Sequence, residues 1–191
     1  HARDFYLDTA LSVAQSWIEK LAPLQSISRI EPTGMLRRGD KLIQSVELLI
    51  EANSSELISE LNDKLECGLS DSTPLIIKDV SGLPVQLWVS TKESFTAQQL
   101  IRTGGEVYAE QLQSMYGTEA ETAIQSLAQA GNASLLTGEA LCNSIGIQWI
   151  EPELRDIYSH FPEEVELVET AEIKGAFHAH STRSDGRNSL E

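Results

Sequence analysis

The sequence predicts an α+β fold, on three observations. Apart from an opening helix, the strand-forming runs lie before Ser90, whereas helical patterns dominate after Ser94. Gly, Pro and Asn punctuate both halves at intervals suited to short elements. At 191 residues and 41% hydrophobic content, the chain can build one sizeable core, or a main domain with a smaller one attached.

Taken in order, Asp4 to Leu21 places Leu7, Leu11, Ala14, Ile18 and Leu21 at helical spacing, which predicts an amphipathic helix with those residues inward. Ser26 to Glu31 reads as a short strand stopped by Pro32, with Thr33-Gly34 as a turn. Leu42 to Ala52 is a second strand-forming run. Asn53, with Glu56 three residues on, has the form of a capping box opening a helix to Leu65. Pro74 to Val80 and Pro84 to Ser90 read as a hairpin around Ser81-Gly82. Helices are then expected over Phe95 to Arg102, Glu106 to Tyr116, Thr118 to Ala130 and Glu139 to Ser144. The acidic stretch from Ile150 to Glu172 lacks periodicity and reads as a linker, after which Ile173 to His178 starts a new strand. A strand so close to the last residue is expected to belong to a longer chain.

Composition excludes several function classes. No apolar run of about 18 residues could span a bilayer, and no signal peptide is recognisable, so a soluble cytoplasmic protein with no membrane partner is expected. Cys67 and Cys142 are too few and too far apart for a disulfide framework, and read as buried thiols. With 14 basic and 29 acidic residues the net charge is −15, which argues against tight DNA binding, because that depends on a basic surface displacing counterions. Arg37, Arg38 and Lys41 form the one basic cluster in the body of the chain.

Thr33-Gly34-Met35-Leu36-Arg37-Arg38-Gly39, then Asp40 to Ile43, then Gln44-Ser45-Val46-Glu47 and an apolar tail, resembles without a gap the palm motif G-S-x-R-R-G-x-x-x-x-G-D-x-D of bacterial-type family X DNA polymerases. In that motif a turn at a helix start presents N–H groups to a triphosphate, and two Asp residues alternating along a strand hold Mg²⁺ ions. Here Ser45 and Glu47 stand at the two Asp positions and Met35 at the Ser. Pro84-Val85-Gln86-Leu87-Trp88 matches the neighbouring strand of the family, with Gln86 at the third Asp and Trp88 at a polar position. Ser94-Phe95 and Leu100-Ile101-Arg102-Thr103-Gly104 resemble the stretch that begins the family's thumb, with Ile101-Arg102 in place of an aromatic pair.

The end of the chain resembles a second motif. Pro152-Glu153-Leu154-Arg155 matches the run that leads into the PHP phosphoesterase domain of these polymerases. Gly175 to Gly186, with His178-Ala179-His180 and Asp185, matches the first metal-binding motif of that domain, with Ala176 where the family has Asp. The resemblance therefore implies a nucleotidyltransferase-like palm with a mixed sheet over residues 1–92, a small helical thumb over 93–150, a linker over 151–172 and the start of a PHP domain over 173–191. It also implies a helix-hairpin-helix domain ahead of the palm, which has no counterpart in this sequence.

Loss of two of three anionic ligands should remove most polymerase activity, since one lost electrostatic stabiliser already costs about 10²–10³ in kcat. The expectation is a catalytically silent palm, with no cofactor of its own, serving as a scaffold for the PHP domain. Gly34 and Arg38 remain as a vestigial nucleotide site. An active palm would need Mg²⁺, and a complete PHP domain Mn²⁺ or Zn²⁺ at His178, His180 and Asp185. The alternatives are an active repair polymerase with DNA as partner, or a 3′–5′ exonuclease acting through the PHP domain. Taken alone, Arg37-Arg38 is a solvated pair, Glu47 a half-buried strand residue in need of a partner, and Trp17, Trp88 and Trp149 packing aromatics.

Overall fold

The computed structural model describes residues 4–65, 74–117, 122, 124, 126, 137–157 and 167–175. The chain divides into two units, His1–Phe161 and Pro162–Glu191.

The first unit is mixed α/β. A two-residue strand β1 (Phe5–Tyr6) leads into α1 (Leu7–Leu21), then β2 (Ile27–Thr33), a short α2 (Gly34–Arg38), β3 (Leu42–Ile43), β4 (Val46–Ala52) and α3 (Ser54–Leu65). After β5 (Leu75–Lys78) and β6 (Pro84–Ser90) come α4 (Phe95–Thr103), α5 (Glu106–Tyr116) and α6 (Gly138–Ser144), and a 3₁₀ turn over Pro152–Leu154. The main sheet has the order β2-β4-β6-β5: β4 is antiparallel to β2 and parallel to β6, and β5 is antiparallel to β6. β1 and β3 form a separate antiparallel pair. A sheet with both kinds of pairing agrees with the α+β expectation.

The parallel β4–β6 pair requires a crossover, and α3 lies within it. Its start follows from the sequence: Asn53 Oδ1 accepts hydrogen bonds from the N–H groups of Ser55 (3.1 Å) and Glu56 (3.3 Å). The β5–β6 hairpin closes on Asp79–Leu83, where the Leu83 carbonyl accepts from Asp79 N–H.

Among its described residues the first unit holds two hydrophobic cores. Val46, Leu48 and Ile50 join Trp17 of α1, Leu57 and Leu61 of α3, and Leu87 of β6 in one core. A second core joins Ala97 and Leu100 of α4, Tyr108 and Leu112 of α5, Leu141 and Cys142 of α6, and Ile150.

Three local expectations need correcting. In α1 the inward face is Ala10, Val13, Ala14, Trp17 and Leu21, while Leu11 is 51% exposed. The bulky Trp17, whose Nε1 donates to Asp79 Oδ1 at 2.9 Å, sets the helix rotation. Pro32 does not end β2; it pairs with Leu48, which is permitted because β2 is an edge strand and the missing N–H faces no neighbour. The run from Leu42 to Ala52 is broken at Gln44-Ser45, so that β3 pairs with β1 and β4 enters the main sheet.

Of the helix expected over Thr118 to Ala130, only residues 122, 124 and 126 are described, and they are helical. In the second unit, Glu169 caps a 3₁₀ turn over Thr170–Glu172, and Ile173 to Gly175 are not in a strand. No helix among the described residues is long and apolar enough to cross a membrane.

Candidate functional site

The residues singled out in the sequence meet where β4 and β6 run side by side under α2 and α4. Register pairs Glu47 with Gln86 directly across the parallel ladder. Ser45 lies just before β4 begins and is half-buried. Gly34 opens α2 with φ of +61°, a left-handed conformation that glycine adopts without steric cost. The Glu47 side chain lies over it: a Cβ built on Gly34 would overlap the carboxylate, with Glu47 Cδ only 2.7 Å away.

Glu47 is held there by partners that replace solvent. Trp88 Nε1 donates to Glu47 Oε2 at 3.2 Å, and the Arg102 guanidinium lies 3.4 Å from the centroid of the Trp88 ring. Burial pushes the Glu47 carboxyl above its ordinary value of 4.5, against the opposing pull of the Trp88 hydrogen bond and the charges of Arg102 and Arg38. Burial likewise lowers Arg102, and the facing Glu47 opposes that shift. Together the three side chains form a stacked, charge-balanced plug over the Gly34 turn.

This arrangement predicts a pH signature. Because the folded-state value of Glu47 is raised, its ionisation stabilises the unfolded chain more than the folded one, so stability falls as pH rises from the ordinary Glu range through the raised value. Glu47→Gln removes that dependence. It is expected to be more stable than the parent at pH 7 and to lose that advantage below about pH 4. Thermal unfolding of both proteins across this interval tests it; parallel profiles would remove the burial argument.

Arg38, carried from the sequence as a phosphate contact, is 9% exposed and already engaged. Its Nη1 donates to the Thr103 carbonyl at 3.0 Å, and its Nη2 lies 2.6 Å from Asp40 Oδ2 and 3.9 Å from Asp156 Oδ2. Arg37 pairs with Glu31, which also accepts a hydrogen bond from Gln99. Both arginines of the basic cluster are therefore paired internally.

Sequence reasoning did not anticipate Asp156. It has φ of +65°, the one non-glycine with positive φ among the described residues. Its Oδ1 accepts from Tyr108 N–H at 2.8 Å, so it caps α5 from outside the helix. Arg155 beside it is buried in the helical core, donating to the carbonyls of Ile150 and Leu100. The stretch expected as linker thus begins with a segment packed into the first unit, and the division between units falls further on, at Phe161 and Pro162. The only advance signal was the Arg155-Asp156 pair within an otherwise acidic run.

Gly105 is the counterpart of this contact. A Cβ there would overlap the Asp156 carboxylate, so Gly105→Ala is expected to displace the cap and cost about 1–2 kcal/mol. Urea unfolding measures the loss, and an unchanged midpoint would show that Asp156 does not hold α5.

Cys142 is buried and its thiol is pushed up to about 11 by desolvation, in keeping with a packing role. Cys67, His178, His180 and Asp185 lie outside the described residues. No protein-family model matches this chain, and a search of curated proteins finds no match.

Proposed function

We propose that the first unit is a nucleotidyltransferase-like palm with a small helical thumb, catalytically silent, acting as a scaffold for an adjoining PHP metal-dependent phosphoesterase in the cytoplasm. The observation that carries this reading is the Glu47 side chain lying over Gly34, hydrogen-bonded to Trp88, on whose ring Arg102 stacks. In a working palm the space above that turn would receive a triphosphate, and the carboxylates would face metal ions. Here an anionic side chain already faces the turn, and a guanidinium faces the carboxylate.

The Mg²⁺ implied by the resemblance does not fit the residues present. Ser45, Glu47 and Gln86 offer one carboxylate among three positions, and that carboxylate is committed to Trp88 and to the charges of Arg102 and Arg38. Two hard divalent ions need several oxygen ligands with compensating negative charge. No metal-assisted step is drawn through this cleft. In the same reading, Mn²⁺ or Zn²⁺ would belong to His178, His180 and Asp185 in a complete PHP domain, which would carry any exonuclease or other phosphoesterase activity. The net charge of −15 over the 191 residues makes a protein surface a better partner than DNA for this chain.

Calorimetric titration of the chain with Mg²⁺ and a deoxynucleoside triphosphate, alongside a primer-extension assay, tests the reading. The expected result is no saturable heat and no extension. Micromolar binding that disappears in Arg38→Ala, or any templated extension, would overturn it in favour of an active family X polymerase.

A further inference from the structure

The helical core contains a buried cation with no ion-pair partner among the described residues. Arg155 is 2% exposed. Its Nε donates to the Ile150 carbonyl at 3.0 Å and its Nη1 to the Leu100 carbonyl at 3.5 Å, while Nη2 has no hydrogen-bond partner. The guanidinium lies 4.8 Å from the ring centroids of both Tyr108 and Trp149. Among the described residues no carboxylate comes within ion-pair distance of it.

Among the described residues only the exposed Glu151 sets a negative charge against it, and from outside ion-pair distance. Tyr108 is pushed up to about 12 and Cys142 to about 11, each mainly by burial, so both are neutral near pH 7. Arg37 adds a second positive charge, although its own partner is Glu31. Glu151 is exposed, and its carboxylate accepts a hydrogen bond from Trp149 Nε1 at 3.0 Å. A buried guanidinium keeps its charge at any ordinary pH, so burying it without a counter-ion carries a large desolvation cost.

A small cavity adjoins it. About 20 Å³ is lined by Arg37, Thr96, Gln99, Thr103, Trp149 and Arg155, among other residues. On the same measure one water needs about 10–15 Å³, so the space is of a size for a single water or a monatomic anion. The lining residues include no carboxylate; Arg37 and Gln99 are bonded to Glu31 and the Thr103 hydroxyl to Thr33, so Arg155 Nη2 is the lining donor left without a hydrogen-bond partner.

We infer that this cavity, between α4, α6 and the Arg155 side chain, binds one halide-sized anion, chloride under physiological conditions, as the counter-ion of Arg155. The site is separate from the Gly34 cleft and does not depend on how that cleft is read. Its consequence is that the folded helical half is stabilised by chloride through mass action.

Two measurements on the intact chain test this. In crystals soaked in bromide, an anomalous peak is expected in the cavity beside Arg155 Nη2. In thermal unfolding at constant ionic strength, replacing gluconate by chloride should raise stability saturably, with the folded-to-unfolded ratio increasing about 11-fold at ten times Kd. Arg155→Met should abolish that gain. Should Arg155→Met fail to fold, the bromide soak of the unaltered chain still decides. Density without anomalous signal, meaning a water, or a stability that does not distinguish chloride from gluconate in the unaltered chain, would overturn the inference.

Discussion

Gly34→Val is expected to destabilise the protein by about 4 kcal/mol, enough to remove much of the folded state of a domain of ordinary stability. Two separate causes add. At φ of +61° a β-branched residue sits in a region it avoids, which costs about 1–3 kcal/mol. Its side chain must also displace the Glu47 carboxylate from its place beside Trp88, an overpacking cost of about 1–3 kcal/mol. A second substitution, Glu47→Ala, empties the contested space and should recover the second part while leaving the first. Urea unfolding of the single and double variants separates them. A loss below about 1 kcal/mol in Gly34→Val would mean that Glu47 does not occupy the turn, and the proposed silent cleft would lose its main support.

Arg38→Ala is expected to cost about 2–3 kcal/mol. Its fork joins three places far apart in the chain: the end of α4 at Thr103, the loop at Asp40 and the returning segment at Asp156. Removal of one partner from a fully buried ion pair costs about 3–5 kcal/mol, but Asp40 and Asp156 are 29% and 23% exposed, so water recovers part of that. Arg38→Lys should restore less than half, since one ammonium cannot reproduce a planar fork reaching a carbonyl and a carboxylate at once. Hydrogen exchange gives an independent reading: the Tyr108 amide, capped by Asp156, should lose protection in both variants. Unchanged exchange and an unchanged unfolding midpoint would return Arg38 to the role of a free phosphate ligand.

Much of the fold was legible because its elements are locally determined. The Asn53 cap, the hairpin at Ser81-Gly82 and the β-branched runs of β4 and β6 each announce themselves within a few residues. The misreadings share one origin. Leu11 fits a helical stripe as well as Val13 does, and only the position of Trp17 against Asp79 selects the face. Pro32 looks like a terminator until the strand order makes β2 an edge. Position within the whole sheet is not encoded in the neighbouring residues.

The candidate site divides in the same way. The family resemblance implied adjoining elements for Gly34, Glu47 and Gln86, and the parallel register puts the last two opposite each other. The Glu47–Trp88 hydrogen bond joins residues 41 positions apart, and the stacking of Arg102 on Trp88 depends on how α4 crosses the sheet. No motif records such pairings. Asp156 was invisible for a further reason: its effect rests on a left-handed backbone that asparagine and glycine adopt more readily.

The sheet order also has a kinetic meaning. β2, α2 and β4 are close in sequence, and so are β5 and β6, so each group can assemble from short loops. The parallel β4–β6 pairing joins them across the α3 crossover, and non-local pairing of this kind is slow to form. Glu47 and Trp88 lie on opposite sides of that junction. The Glu47–Trp88 hydrogen bond therefore forms only when the two halves of the sheet meet, so the plug is completed by the last and least local pairing of the sheet.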